Sequence, residues 1–150
     1  MSQEEKSSGE VWLESMRASG YRLTTPRRVI VNIIANSGYA LEAIEIFDLS
    51  RDEYPRLGLV TVYRTLEKLE QLGLVQRVHQ PDGCHLYLRA PKGHEHILLC
   101  KSCRRTDYFR GDDLSELIEE TSQSSGFEIE DHWLQFFGVC KTCQQANHVE

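Results

Sequence analysis

The stretch Leu59-Val60-Thr61-Val62-Tyr63-Arg64-Thr65-Leu66-Glu67-Lys68-Leu69-Glu70-Gln71-Leu72-Gly73 decides the fold. Val62, Leu66, Leu69 and Leu72 recur at spacings of four and three, the apolar stripe of an amphipathic helix that starts near Thr61. Gly73 closes it as a C-terminal cap. Tyr63, Arg64, Thr65, Lys68 and Gln71 lie off the stripe. Two strand-like runs come next at residues 74–78 and 85–89, with Pro81-Asp82-Gly83 between them as a turn. A helix leading directly into a hairpin is the second half of a winged helix-turn-helix, whose last helix before the hairpin enters the DNA major groove. A small α+β domain that binds nothing is the plainer alternative.

Upstream, Val11, Leu13 and Met16 mark a short first helix closed by Gly20. Thr25 caps a second helix with Pro26 in its first turn, and Val29, Ile30, Ile33 and Ile34 share one face. A third spans residues 42–51 with Ala43, Ile46 and Phe47 inward, and Pro55 and Gly58 break the chain after it. The Ser/Glu-rich residues 1–9 are expected to be disordered. Residues 10–90 thus read as one winged-helix DNA-binding domain. Pro91-Lys92-Gly93 is the expected boundary. Beyond it come strands at 94–100 and 106–109, then a helix from Asp112 or Asp113 to about Ser124. That helix is expected to bury Leu114, Leu117 and Ile118 and to end at Gly126, with strands at 127–132 and 134–139 after it. The fold class is α+β: an N-terminal winged helix-turn-helix and a small C-terminal α/β domain over 91–150.

The 150 residues carry 17 basic and 23 acidic side chains, a net charge of −6, so no global basic surface exists. Residues 1–90 hold 11 basic and 12 acidic groups, whereas 91–150 hold 6 and 11, so the acidic excess sits away from the helix-turn-helix. Arg17, Arg22, Arg27 and Arg28 form a local basic cluster with no acid among them; on charge alone it is a solvated helix face. No apolar run approaches the ~20 residues of a membrane helix. The first ten residues lack a signal peptide's apolar stretch, so a cytoplasmic location without membrane attachment is expected. Five cysteines in such a chain point to metal or thiol chemistry before disulfides.

Cys100-Lys-Ser-Cys103 and Cys140-Lys-Thr-Cys143 are two CxxC knuckles with 36 residues between them. Each lets two thiolates converge from one tight turn, and two together make a closed tetrahedral sulfur site that suits structural zinc. A redox or merely buried set of cysteines is the alternative. His94-Glu95-His96 is a second cluster. On a strand, His94 and His96 would share a face, and His132 on a later strand could join them. Three imidazoles with a carboxylate or water suit a borderline divalent metal. Glu116, or Asp112, Ser115 and Glu119 on one helical face, are candidates for the fourth ligand. Cys84 reads as an ordinary residue of the wing, and His79 and His148 carry no signal.

The combination resembles the ferric uptake regulator family of bacterial metal-dependent transcription factors. The resemblance runs through Gly20-Tyr-Arg22-Leu-Thr24-Thr-Pro26-Arg27, Leu59 to Leu66, Gly73-Leu74-Val75, His94-Glu-His96, both knuckles, Gly126-Phe127 and Asp131-His132. It implies a homodimer that reads palindromic, AT-rich double-stranded DNA operators, mostly to repress transcription when metal is plentiful. It implies base contact by Tyr63 beside Thr61, a phosphate contact by Arg64, and minor-groove or backbone contacts by Arg22 and Arg27. It assigns Cys100, Cys103, Cys140 and Cys143 to structural zinc, and His94, His96 and His132 to a regulatory metal. The family usually adds a helix acid there; this chain has Ser115, and Glu116 or Asp112 would substitute. The family's hinge sensor site falls on Ala40, Leu88, Glu95, Ile97 and Tyr108, of which only Glu95 could bind metal. Asp107 is adjacent but faces the other side of its strand. All-histidine ligation tilts the second metal towards zinc over iron(II) or manganese(II). The rivals are a constitutive DNA-binding protein with purely structural zinc and a zinc hydrolase or deaminase. The deaminase pattern needs H-x-E and P-C-x-x-C, whereas here Glu95 directly follows His94 and Leu99, not proline, precedes Cys100.

Overall fold

Ser7 starts the first helix. Its hydroxyl accepts the Glu10 N–H at 3.3 Å, and the Glu10 carboxylate accepts the Ser7 N–H at 2.9 Å, a capping box that launches α1 (Ser8–Ala18). The computed structural model describes residues 6–80, 82–111 and 114–147. Residues 1–5 of the segment expected to be disordered lie outside these. From Lys6 the expectation fails, because Lys6 pairs with Glu14 at 2.7 Å and the capping box orders the residues after it. Pro81 of the turn, Asp112 and Asp113 as helix caps, and His148 also lie outside the described residues.

The chain divides into two compact units, one ending at Ala90 and the other beginning at Pro91. In the first, α2 (Thr25–Ala35), α3 (Ala43–Glu53) and α4 (Leu59–Gln71) pack with α1, and the hairpin β1 (Val75–His79) and β2 (His85–Arg89) comes after them. Thr24, not Thr25, is the N-cap of α2, with an extended backbone; Thr25 is already helical. Helix α4 begins two residues before Thr61, since Gly58 supplies the cap position. Trp12, Met16, Ile30, Ile34, Ile46, Val62, Leu66 and Leu69 form one buried cluster, closed by Val75 and Tyr87 from the hairpin. Val11 and Ile33, placed on apolar faces by periodicity, lie outside this cluster. Two buried hydroxyls are satisfied within their own helices: Thr65 donates to Thr61 O at 2.8 Å and Ser50 to Ile46 O at 2.6 Å.

Gly73 ends α4 at φ +68. The Leu74 N–H bonds Leu69 O at 2.9 Å and the Gly73 N–H bonds Glu70 O at 3.0 Å, the paired bonds of a Schellman cap. The chain so reversed enters β1 at Val75, opposite Arg89. Leu41 extends the hairpin by one bridge, exchanging both backbone bonds with Tyr87.

The second unit is a three-stranded sheet of order β4-β3-β5, with β3 (Glu95–Cys100) antiparallel to β4 (Thr106–Arg110) and parallel to β5 (Gln135–Gly138). Helix α5 (Ser115–Ser125) makes the crossover that the parallel pair requires, and α6 (Lys141–Asn147) comes after β5. Two expectations fail, and one helix was not foreseen. Residues 127–132 are irregular, because no described strand offers that segment a partner. Helix α5 buries none of its residues, and Leu117 is 59% exposed. Helix α6, KTCQQAN, has too few apolar residues for periodicity to reveal it.

Candidate functional site

Cys100 ends β3, and the turn after it brings Cys103 back over the strand. The Arg104 N–H closes this turn on Cys100 O at 2.9 Å, with Arg104 in the left-handed region at φ +63. The second knuckle arrives from the other side of β3. Gly138 of β5 lies beside Cys100, and the Lys101 N–H bonds Gly138 O at 2.8 Å. Cys140 then precedes α6 and Cys143 sits in its first turn. All four sulfurs lie within 4.8 Å of one another, and they are the only such metal-competent group among the described residues. Cys103 and Cys140 are 3.8 Å apart at sulfur. That is far beyond a disulfide, and it matches the ~3.8 Å edge of a tetrahedron with Zn–S bonds of about 2.3 Å. The donor set therefore fits a closed zinc site.

Electrostatics agree with that chemistry. Burial pushes the Cys100 thiol up, but backbone N–H groups of Cys140, Cys103 and Ser102 aimed at its sulfur outweigh burial and bring it down to about 6. The Cys140 N–H donates to it at 3.3 Å. Cys143, sharing protons with the Cys140 and Cys103 thiols and partly desolvated, is pushed up to about 12. Four thiols this close cannot all ionise without a cation between them.

The histidine set is only partly assembled. His96 is buried on β3, its ring 6.1 Å from that of His132 and 5.5 Å from Phe109. A Cβ on Gly111 would come within 3.1 Å of the His96 ring, so the bare backbone of Gly111 leaves the imidazole its space. His94 stands in the turn before β3, not on the strand, and is exposed. The strand argument that put it on the His96 face therefore does not apply. Glu116 is in the first turn of α5. These four residues do not converge as a ligand group here. Of the positions matched to the family's hinge site, Ala40, Leu88 and Ile97 are buried apolar side chains that offer no donor atom. The Glu95 carboxylate accepts the Lys92 N–H at 3.0 Å. Asp107 accepts the Tyr108 N–H at 3.1 Å.

On α4 the buried stripe turns the opposite face outward. Tyr63 is 52% exposed and Arg64 lies beside it in solvent, while Thr61 is half-buried and its carbonyl receives Thr65. Val60, 62% exposed one turn before Arg64, shares this face, and periodicity did not single it out. Its signal was the spacing of three from Tyr63. Equally unforeseen was the tie between the α1–α2 loop and α4: the Tyr21 hydroxyl donates to Gln71 at 3.1 Å, and Lys68 lies 5.3 Å over the Tyr21 ring. Arg22 is exposed. Arg27 instead donates from its guanidinium to the Arg22 carbonyl, and its buried Nε has no partner among the described residues.

Known proteins share this architecture. The ferric uptake regulator family model matches residues 18–137. The ferric uptake regulation protein of Synechococcus elongatus is 32% identical over 130 residues, 85% of this chain and 88% of its own length. That of Bacillus subtilis is 33% identical over 134 residues, 87% and 90%. A solved zinc-bound manganese uptake regulator superposes with a TM-score of 0.64 at 29% identity, covering 86% of this chain and 98% of its own. A zinc uptake regulator complexed with zinc and DNA gives 0.72 at 19% identity over 95% and 99%, a likeness of fold. With four fifths of its length inside the family model, the chain belongs to the ferric uptake regulator family.

Proposed function

We propose that this protein is a metal-responsive, DNA-binding transcriptional regulator that acts as a homodimer, and not an enzyme. The observation that carries the reading is α4, which anchors its stripe in the core and presents Tyr63, Arg64 and Val60 on one accessible face ahead of a wing. Tyr63 would read base edges with Thr61 beside it, and Arg64, Arg22 and the loop held by Arg27 would meet the backbone or minor groove. The dimer is supported by exposed apolar side chains on the second unit: Leu98, Leu117, Phe127, Trp133 and Phe137. The operator would be a palindromic AT-rich duplex, with repression as the mode. Residues 10–90 would bind DNA and residues 91–150 would dimerise and hold metal.

Cys100, Cys103, Cys140 and Cys143 would hold zinc, which when bound supplies a crosslink between the end of β3 and the start of α6. His94, His96 and His132, with Glu116, would hold a second divalent cation, zinc in preference to iron(II) or manganese(II). A coupling of about 1–3 kcal/mol would tighten operator binding ~5–150-fold. A second reading is favoured by the dispersed histidine set and the apolar hinge positions: constitutive DNA binding with zinc only as a clamp. Fluorescence anisotropy on duplex from upstream of the protein's own gene separates them. Protein stripped to one zinc per chain is compared with the same protein given zinc, iron(II) or manganese(II). Tight binding only after a second equivalent supports the regulator, and its lowest threshold names the metal. Equal binding by the one-zinc form supports the clamp reading, and no binding in any form sinks both.

A further inference from the structure

The wing carries two histidines that neither the cysteine centre nor the His94 cluster uses. His79 on β1 is registered directly opposite His85 on β2. The outward bonds of Tyr87 to Leu41, and the Gln80 N–H to Cys84 O bond at 2.9 Å, place this pair at a non-hydrogen-bonded position of the ladder. There, facing side chains approach most closely. The ring centroids are 4.5 Å apart at an interplanar angle of 89°. Two imidazoles on one cation, with bonds of about 2.0–2.1 Å, have centroids roughly 4.5–5.2 Å apart for right-angle to tetrahedral geometry. The observed spacing falls within that range without moving the backbone.

The hairpin holds the pair at that distance. The Gly83 N–H bonds Gln80 O at 3.0 Å, and the Cys84 N–H bonds the Asp82 carboxylate at 2.9 Å. Gly83 takes the left-handed conformation, φ +85, that lets the turn close. Neither ring hydrogen-bonds another described residue, so both keep ring nitrogens available. His79 is exposed, and its second side-chain torsion is broad, so the edge-to-face contact can turn into a shared aim at little cost. The surrounding charge tolerates a cation. Asp82 stands at the tip, and Arg77, two residues along the same face, is answered by Glu70 at 3.1 Å.

We infer that His79 and His85 form a two-imidazole site on the wing for a divalent late transition metal of the zinc or nickel class, with water completing the coordination. The site lies within the first unit and is independent of the cysteine and His94 positions. It is tested on the full chain with its cysteine site already loaded, using zinc as the probe. The six histidine rings are followed by NMR on histidine-labelled protein. The His79 and His85 ring signals should move together with one saturation. In His79→Phe, which keeps an aromatic contact but removes the donor nitrogen, His85 should respond about tenfold or more weakly, since losing even an outer partner of a ligand costs 10–100-fold. The His96 and His132 signals in the same spectra should respond as in the wild type, which shows that the variant is folded. A His85 response unchanged by His79→Phe, or no movement of either ring by millimolar zinc, overturns the site.

Discussion

Tyr63 and Arg64 are neighbours in sequence to which the proposed function gives different tasks, because one would offer an aromatic ring to base edges and the other a charge to phosphate. We expect Tyr63→Ala to flatten discrimination between operator and mutated duplexes by about 1–3 kcal/mol, read by competition binding. Arg64→Ala should weaken all sequences alike and reduce the salt slope by about one. Equal discrimination by Tyr63→Ala would remove it from the base-reading face. The cysteines make a second residue-scale test, in metal-free protein. Cys100, held down to about 6, adds stability that is present above the ordinary thiol value and lost as pH falls through about 6. Cys143, held up at about 12, adds stability present below the ordinary value and lost as pH rises through about 12. Amide-exchange protection of β3 should therefore peak between these limits. In Cys100→Ser its fall on the acid side should flatten, and an unchanged slope would exclude Cys100 as the source.

At the scale of elements, the cap at Gly73 decides how α4 hands the chain to the wing. A Cβ there meets nothing within 4 Å, so Gly73→Ala carries only the backbone cost of φ +68. We expect a loss of about 1–2 kcal/mol, read as a lower urea midpoint with no change in slope. A neutral result would mean that the Schellman bonds at Leu74 and Gly73 contribute nothing beyond an ordinary helix end. Helix α4 itself was legible because Val62, Leu66 and Leu69 all face one core, and one apolar face is what a 3.6-residue period reports. Residues 127–132 are not a strand, since the alternation of Phe127, Glu128, Ile129 and Glu130 shows only that a strand there would have two unlike faces. It does not supply a neighbouring strand, and unpaired backbone in water gains nothing from being extended.

At the scale of the whole molecule, the second unit leaves apolar surface uncovered in a single chain. Leu117 has no buried role within that chain, so Leu117→Glu should leave helix content intact while shifting sedimentation from dimer towards monomer. A dimer of unchanged strength would place the association surface elsewhere, with Trp133 at 81% exposure and Phe127 at 72% the next positions to change. The expectation that α5 buries Leu114, Leu117 and Ile118 failed for this reason: periodicity finds the apolar face of a helix but not which body covers it.

Local chemistry alone determined much of this protein. The CxxC pairs carry their own turn and their own ligands, so the zinc-competent tetrad was legible in spacing and the fold needed only to bring two turns together. The winged helix was legible because stripe, cap and hairpin turn are all short-range signals. Tertiary structure alone decided the rest. It set His94 in a turn while burying His96, drew Arg27 back onto the Arg22 carbonyl, and laid His79 against His85 across two strands. Each is a through-space distance between side chains whose sequence separation carries no information about it, and only the packing of strands and helices assigns it a value.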